Sequence, residues 1–166
     1  LFGIKTGRYT TLIDTQFQMR AFEEALNKNL IPWLNNCKIL KRNVKLNKSI
    51  VDYLIKCDDL LYLEVKSAAL KRNRYAMYPD CPSLRGRRHI AEIIKHVRSG
   101  NKAAILFIAA IPNVRAFKPN KRGDNVIFKL LRDAFDAGVV IKSISIFYNP
   151  SNYYVHLKNP DLKVKL

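Results

Sequence analysis

The stretch "AAILFIAAI", Ala103 to Ile111, contains no charged or polar side chain. A strand with one face in water alternates apolar and polar residues, so an unbroken run of this kind belongs to a strand covered on both faces. It is about half of the roughly 20 residues that a membrane-spanning helix needs. The chain must therefore supply helices to both faces of a sheet and put this strand near the centre, which points to an α/β fold.

The helices are marked by their boundaries. "TQFQMRAFEEALNKNL", from Thr15, places Phe17, Ala21, Phe22, Ala25 and Leu26 at helical spacing, with Pro32 beyond its end. A second helix is expected from about Ser83, with Ile90, Ile93, Ile94 and Val97 on its apolar stripe, Arg85, His89, Glu92 and His96 on its other face, and Gly100 as its stop. A third is capped by Asp124, carries Ile127, Leu130, Leu131 and Ala134 inward, and stops at Gly138. "YTTLIDT" (Tyr9 to Thr15) reads as a strand or extended entry segment. "KILKRNVKLNKS" (Lys38 to Ser49) reads as a half-exposed strand before a hairpin, and "VVIKSISIFY" as a closing strand. The expected order is α-βββ-α-β-α-β, a mixed antiparallel-to-parallel central sheet flanked by helices. With no internal repeat and no low-complexity linker, residues 1–166 are read as one domain.

The chain carries 30 Lys+Arg against 13 Asp+Glu, a formal charge of +17. Such a surplus repels itself unless a polyanion supplies the counter-charge, and nucleic acid is the expected partner, with no membrane involved. Cys37, Cys57 and Cys81 are an odd number spaced twenty or more residues apart. That spacing suggests neither a disulfide framework nor a zinc knuckle, and fits a reducing, cytoplasmic setting. Tyr75, Tyr78, Tyr153, Tyr154 and Trp33 are read first as core or rim aromatics rather than base-stacking residues. Leu1 is not a natural start, so preceding residues, or a whole domain, are expected.

The chemistry concentrates in "VDYLIKCDDLLYLEVKS", Val51 to Ser67. Side chains two apart on a strand share a face, so Glu64 and Lys66 point one way and Val65 the other. If the hairpin loop is Cys57 to Asp59, Lys56 pairs with Leu60 and Asp52 falls opposite Glu64; a two-residue loop shifts that pairing by one. Two neighbouring carboxylates repel unless neutralised, and a hard divalent cation, Mg²⁺ or Mn²⁺, held by Asp52, Glu64 and the Val65 carbonyl, does so. Lys66 would then balance charge on a scissile phosphate or help activate a water. Glu24, at the border of the first helix's stripe, could lean over the sheet as a further ligand, while Glu23 faces away. The plain alternative is a same-face ion pair between Glu64 and Lys66 with Asp52 as a strand-start residue.

Several longer blocks carry a resemblance. "EVKSAAL", "AMYPDCPSLRGRRHIAEI", "GNKAAILFIAAI" and "DAFDAGV", preceded by "LIDTQF" and "EEALNKNLI", are similar to the successive signature blocks of the sugar fermentation stimulation protein family, over nearly the whole chain. The resemblance implies a DNA-binding protein with the restriction-endonuclease-like fold of PD-(D/E)XK nucleases. It places Asp52, Glu64 and Lys66 at the acidic, acidic and lysine positions and Glu24 at the helix carboxylate. It also implies a preceding OB-like domain, which this chain is expected to lack. Pro79-Asp80 is a decoy, since it follows the Glu-Val-Lys strand. "SIVDY" (Ser49 to Tyr53) departs from the family's "SRxDF" by lacking the arginine.

The sequence thus points to DNA binding with metal-dependent phosphodiester hydrolysis. The rival is a non-catalytic regulator of sugar-metabolism genes that keeps the fold. Arg85, Arg87, Arg88 and His89 at one helix end, and Lys71, Arg72 and Arg74 after the Glu-Val-Lys strand, are the expected phosphate contacts, joined by the segment from Arg115 to Arg122. His89 also reads as a proton carrier or, more plainly, as the maker of one structural hydrogen bond. Weak sequence preference is expected; RNA as a partner and a homodimer stay open.

Overall fold

In the computed structural model, which describes residues 1–166, strand β8 (Ala103–Ala109) is buried along its whole length. It is flanked in parallel by β5 (Leu60–Ser67) and β10 (Val140–Asn149). The missing alternation has a direct cause. Ala103, Ile105, Phe107 and Ala109 enter one core with α2 (Leu84–Arg98) and α3 (Asn125–Asp136), while Ala104, Leu106 and Ile108 enter a second core with α1 (Thr15–Asn27).

Antiparallel β3 (Lys38–Leu46) and β4 (Ser49–Lys56) extend the sheet beyond β5. On the other side, β10 meets the hairpin of β1 (Gly3–Thr6) and β2 (Tyr9–Leu12), giving the order β1-β2-β10-β8-β5-β4-β3, with β11 (Tyr154–Asn159) also paired to β10. This is the mixed α/β sheet flanked by helices that the sequence pattern predicts. The expected helix limits agree closely: Ser83 and Asp124 are the N-caps of α2 and α3, Asp14 caps α1, and Gly100 and Gly138 take positive φ just beyond the ends.

The expected order α-βββ-α-β-α-β omits six short strands. Besides β1, β2 (read only as a strand or extended entry segment) and β11, these are β6 (Leu70–Arg72), β7 (Tyr75–Tyr78) and β9 (Ala116–Pro119), which make a separate three-stranded sheet. That sheet is fixed to the main one where Phe117 of β9 stacks on Phe107 of β8, ring centroids 3.9 Å apart. Such a pair contributes roughly 0.5–1.5 kcal/mol beyond its burial.

The reading of the cysteines needs correction. Cys37 and Cys57 form a disulfide, and Cys81 alone is free. Lys38 pairs with Lys56 across β3 and β4, so the residues one step beyond that pair face each other too, with Cα atoms 4.3 Å apart. Strand register, not sequence spacing, brings them together. No helix is long and apolar enough to cross a membrane.

Candidate functional site

The hairpin register follows the three-residue loop: Lys56 pairs with Leu60, and the ladder continues to Tyr53 and Leu63. There the two strands stop pairing, although β5 continues alongside β8 as far as Ser67. The main-chain N–H of Val65, which a continued ladder would engage, instead donates to Oδ2 of Asp52 at 2.7 Å. A cleft of about 230 Å³ opens at this point, and Asp52, Glu64 and Lys66 all line it.

Glu64 is 3% exposed, and its two oxygens differ. Oε1 accepts from Lys66 Nζ and lies 2.7 Å from His89 Nδ1. An ionised carboxylate only accepts, so His89 donates from Nδ1. Oε2 is buried and has no hydrogen-bond partner. Burial works against the charge on Glu64, but the hydrogen bond from His89 and the charge of Lys66 outweigh it and hold the carboxyl below its ordinary range. Asp52 goes the other way. Burial, then the charge of Glu64, push it up to about 6 against the opposing pull of the Val65 hydrogen bond and Lys66. Two carboxylates in one cleft are thus held apart in their titration by which cations stand beside them.

The wall from α2 depends on a glycine. A Cβ at Gly86 would stand 2.7 Å from Tyr78 Oη and 3.1 Å from Ile127 Cδ1, so the helix start seats against β7 and α3 only without a side chain there. That seating places Arg85 and His89 on the cleft. His89 and Glu92, expected on the face of α2 away from its apolar stripe, are both buried.

Glu24 does not reach the site. It is exposed and pairs with Lys28 at 2.7 Å, while Glu23 turns inward, accepting from Arg42 at 2.8 and 2.6 Å and from Tyr53 Oη at 2.8 Å. The cause is one misplaced position. Phe17, counted as core, is 44% exposed, and Gln18 takes its place in the buried stripe with Phe22, Ala25 and Leu26. With Phe22, Ala25 and Leu26 kept and Gln18 in place of Phe17, the centre of the stripe turns by roughly 40° at 100° per residue, toward Glu23 and away from Glu24. Gln18 itself lines the cleft and donates Nε2 to the Leu12 carbonyl at 2.8 Å. Its polar side chain four residues before Phe22 was the available signal.

The basic residues divide. Arg85 and Arg88 are exposed. Arg87 is committed to Asp124, donating Nε to both carboxylate oxygens at 3.2 and 2.9 Å, and is a structural tie rather than a free phosphate contact. Lys71 donates to the Pro112 carbonyl at 3.0 Å, which also engages its charge. Arg72 and Arg74 are exposed on the β6–β7 hairpin and do not line the carboxylate cleft.

The donors present fit a hard divalent cation. Mg²⁺ is commonly held by one or two carboxylates plus waters. Asp52 and Glu64 supply two, and the partnerless Oε2 is the atom such an ion would satisfy. No group of three or more His, Cys, Asp or Glu side chains converges as a metal cage.

Comparison with known proteins agrees over almost the full length. Residues 16–152 match the family described as "Sugar fermentation stimulation protein RE domain". A sugar fermentation stimulation protein homolog of Archaeoglobus fulgidus is 45% identical over 99% of this chain and 69% of its own length. One of Pyrococcus furiosus is 44% identical over 94% and 68%. A solved structure, that of Pyrococcus furiosus SfsA in complex with Ca²⁺, superposes with a TM-score of 0.97 at 43% identity, covering 100% of this chain and 71% of that one.

Proposed function

The chain belongs to the sugar fermentation stimulation protein family, and from that premise we propose that it binds DNA and hydrolyses phosphodiester bonds with a divalent cation at Asp52 and Glu64. The observation that carries the reading is the buried, partnerless Oε2 of Glu64 beside Asp52. The Ca²⁺ in the structure of the Pyrococcus furiosus relative supports it. Bound at these carboxylates, Mg²⁺ or Mn²⁺ would supply Lewis-acid polarisation of a phosphoryl oxygen and lower the pKa of a bound water.

The chain's own residues prepare the site. His89 fixes Glu64 through Oε1 and leaves Oε2 without a protein partner. The Val65 N–H fixes Asp52. Lys66, beside Glu64 and lining the cleft, can meet the negative charge that grows on the phosphoryl oxygens. Arg85 at the rim can pair with a backbone phosphate. The family's name fits a second reading, a DNA-binding regulator that keeps this cleft without turnover.

Labelled single-stranded, duplex and branched DNA, incubated with Mg²⁺ or Mn²⁺ beside a Glu64→Ala control, separates the two. Cleavage lost in the control supports hydrolysis at this site. Cleavage that survives in it assigns the activity elsewhere, and binding without cleavage on all three substrates favours the regulator.

A further inference from the structure

A second groove adjoins the carboxylate cleft. The β3–β4 turn and the start of α2 enclose about 670 Å³, and its charged side chains, Lys45, Lys48, Arg85 and Arg88, are all cations. None of the four is in an ion pair. Arg85 and His89 line groove and cleft alike, so the two are continuous. Ser49 also lines the groove, is 5% exposed, and its hydroxyl has no hydrogen-bond partner. Buried hydroxyls are rarely left so, and an oxygen-rich anion would satisfy this one.

Glu92, buried on α2, accepts from Lys95 at 2.8 Å, and that hydrogen bond is the main reason its carboxyl lies below the ordinary range.

We infer that this groove seats the backbone phosphate next to the one at Asp52 and Glu64, on the same nucleic-acid strand. Lys48 and Arg88 balance its charge, and Ser49 donates to one of its oxygens. The inference rests on the cleft being a phosphodiester site. It adds that a substrate is gripped at two successive phosphates, so that a strand enters along the β3–β4 turn.

The test uses the full chain in EDTA, with trithymidylate and inorganic phosphate as separate probes, followed by amide NMR shifts. Trithymidylate is expected to move Asn47 to Ile50 and Arg85 to His89. The double variant Lys48→Ala/Arg88→Ala, at two exposed positions, should weaken its binding by about tenfold, as loss of charge-assisted contacts does. Ser49→Ala should weaken it by about threefold. Shifts confined to other regions, or unchanged affinity in the double variant, overturn the inference. Equal binding of inorganic phosphate overturns the assignment to a nucleic-acid strand. If the groove shifts appear but no DNA is cleaved with Mg²⁺ or Mn²⁺, hydrolysis fails and the phosphate seat stands.

Discussion

Asp52→Asn should make the metal-free protein more stable at neutral pH. The substitution keeps an oxygen to accept the Val65 N–H and removes the charge that burial and Glu64 both oppose. A rise of the carboxyl pKa from 3.8 to about 6 corresponds, at ~1.36 kcal/mol per pH unit, to about 3 kcal/mol. Allowing for partial solvent access brings this to about 2–3 kcal/mol. The sign follows from linkage. A carboxyl whose folded pKa is raised contributes stability that is fully present below its unfolded value and lost as pH rises through about 6. Wild type and variant should therefore be equally stable near or below about pH 4 and diverge in favour of the variant up to about pH 8. Urea titrations in EDTA across that range measure the gap. Added Mn²⁺ should stabilise wild type at the alkaline end but not the variant. A gap that does not change with pH, or a variant less stable at the alkaline end, would refute the reasoning.

Lys66→Ala should lower single-turnover hydrolysis by about a thousandfold while DNA affinity by anisotropy stays within about twofold, because one cation among thirty adds little to binding. Arg85→Ala should flatten the dependence of log K on log salt by about one, since Arg85 is unpaired at the cleft rim. Arg87→Ala should leave that slope alone and cost about 1–2 kcal/mol in a urea titration; Asp124 keeps main-chain donors at Ser83, Val126 and Ile127, which softens the loss of its partner. Cys37→Ala/Cys57→Ala should cost about 3 kcal/mol, the entropy of a loop closed over 20 residues, and wild type in reductant should match it.

The parts of the fold legible in the sequence are those fixed locally or by a long pattern. Ser83 and Asp124 start helices, and Gly100 and Gly138 stop them, through contacts within a few residues, and the unbroken run of β8 is explained by cover on two faces. The pairing of Lys56 with Leu60 followed from loop length. Features set by distant partners were not legible. β6 and β7 are three and four residues long and depend on β9, some forty positions later. The disulfide depends on the β3–β4 register, and the commitment of Arg87 depends on Asp124. On α1 and α2, polar side chains in buried stripes, Gln18 and His89, broke the rule that polar faces are outer faces. Both line the cleft, where a buried polar group has work beyond packing.

Asp124 gives two helices a common start. Its carboxylate accepts from Val126 and Ile127 as the cap of α3 and from Ser83, the N-cap residue of α2, while Arg87 in the first turn of α2 closes on the same oxygens. Neither helix has an acid in its first turn, so one buried anion faces the positive ends of both. The consequence is a coupling over long sequence separation. The first turn of α2, capped locally by Ser83 Oγ, takes its anion from a residue that lies beyond β8 and β9 in the chain, so the cleft wall carrying Arg85 and His89 is tied to the start of α3.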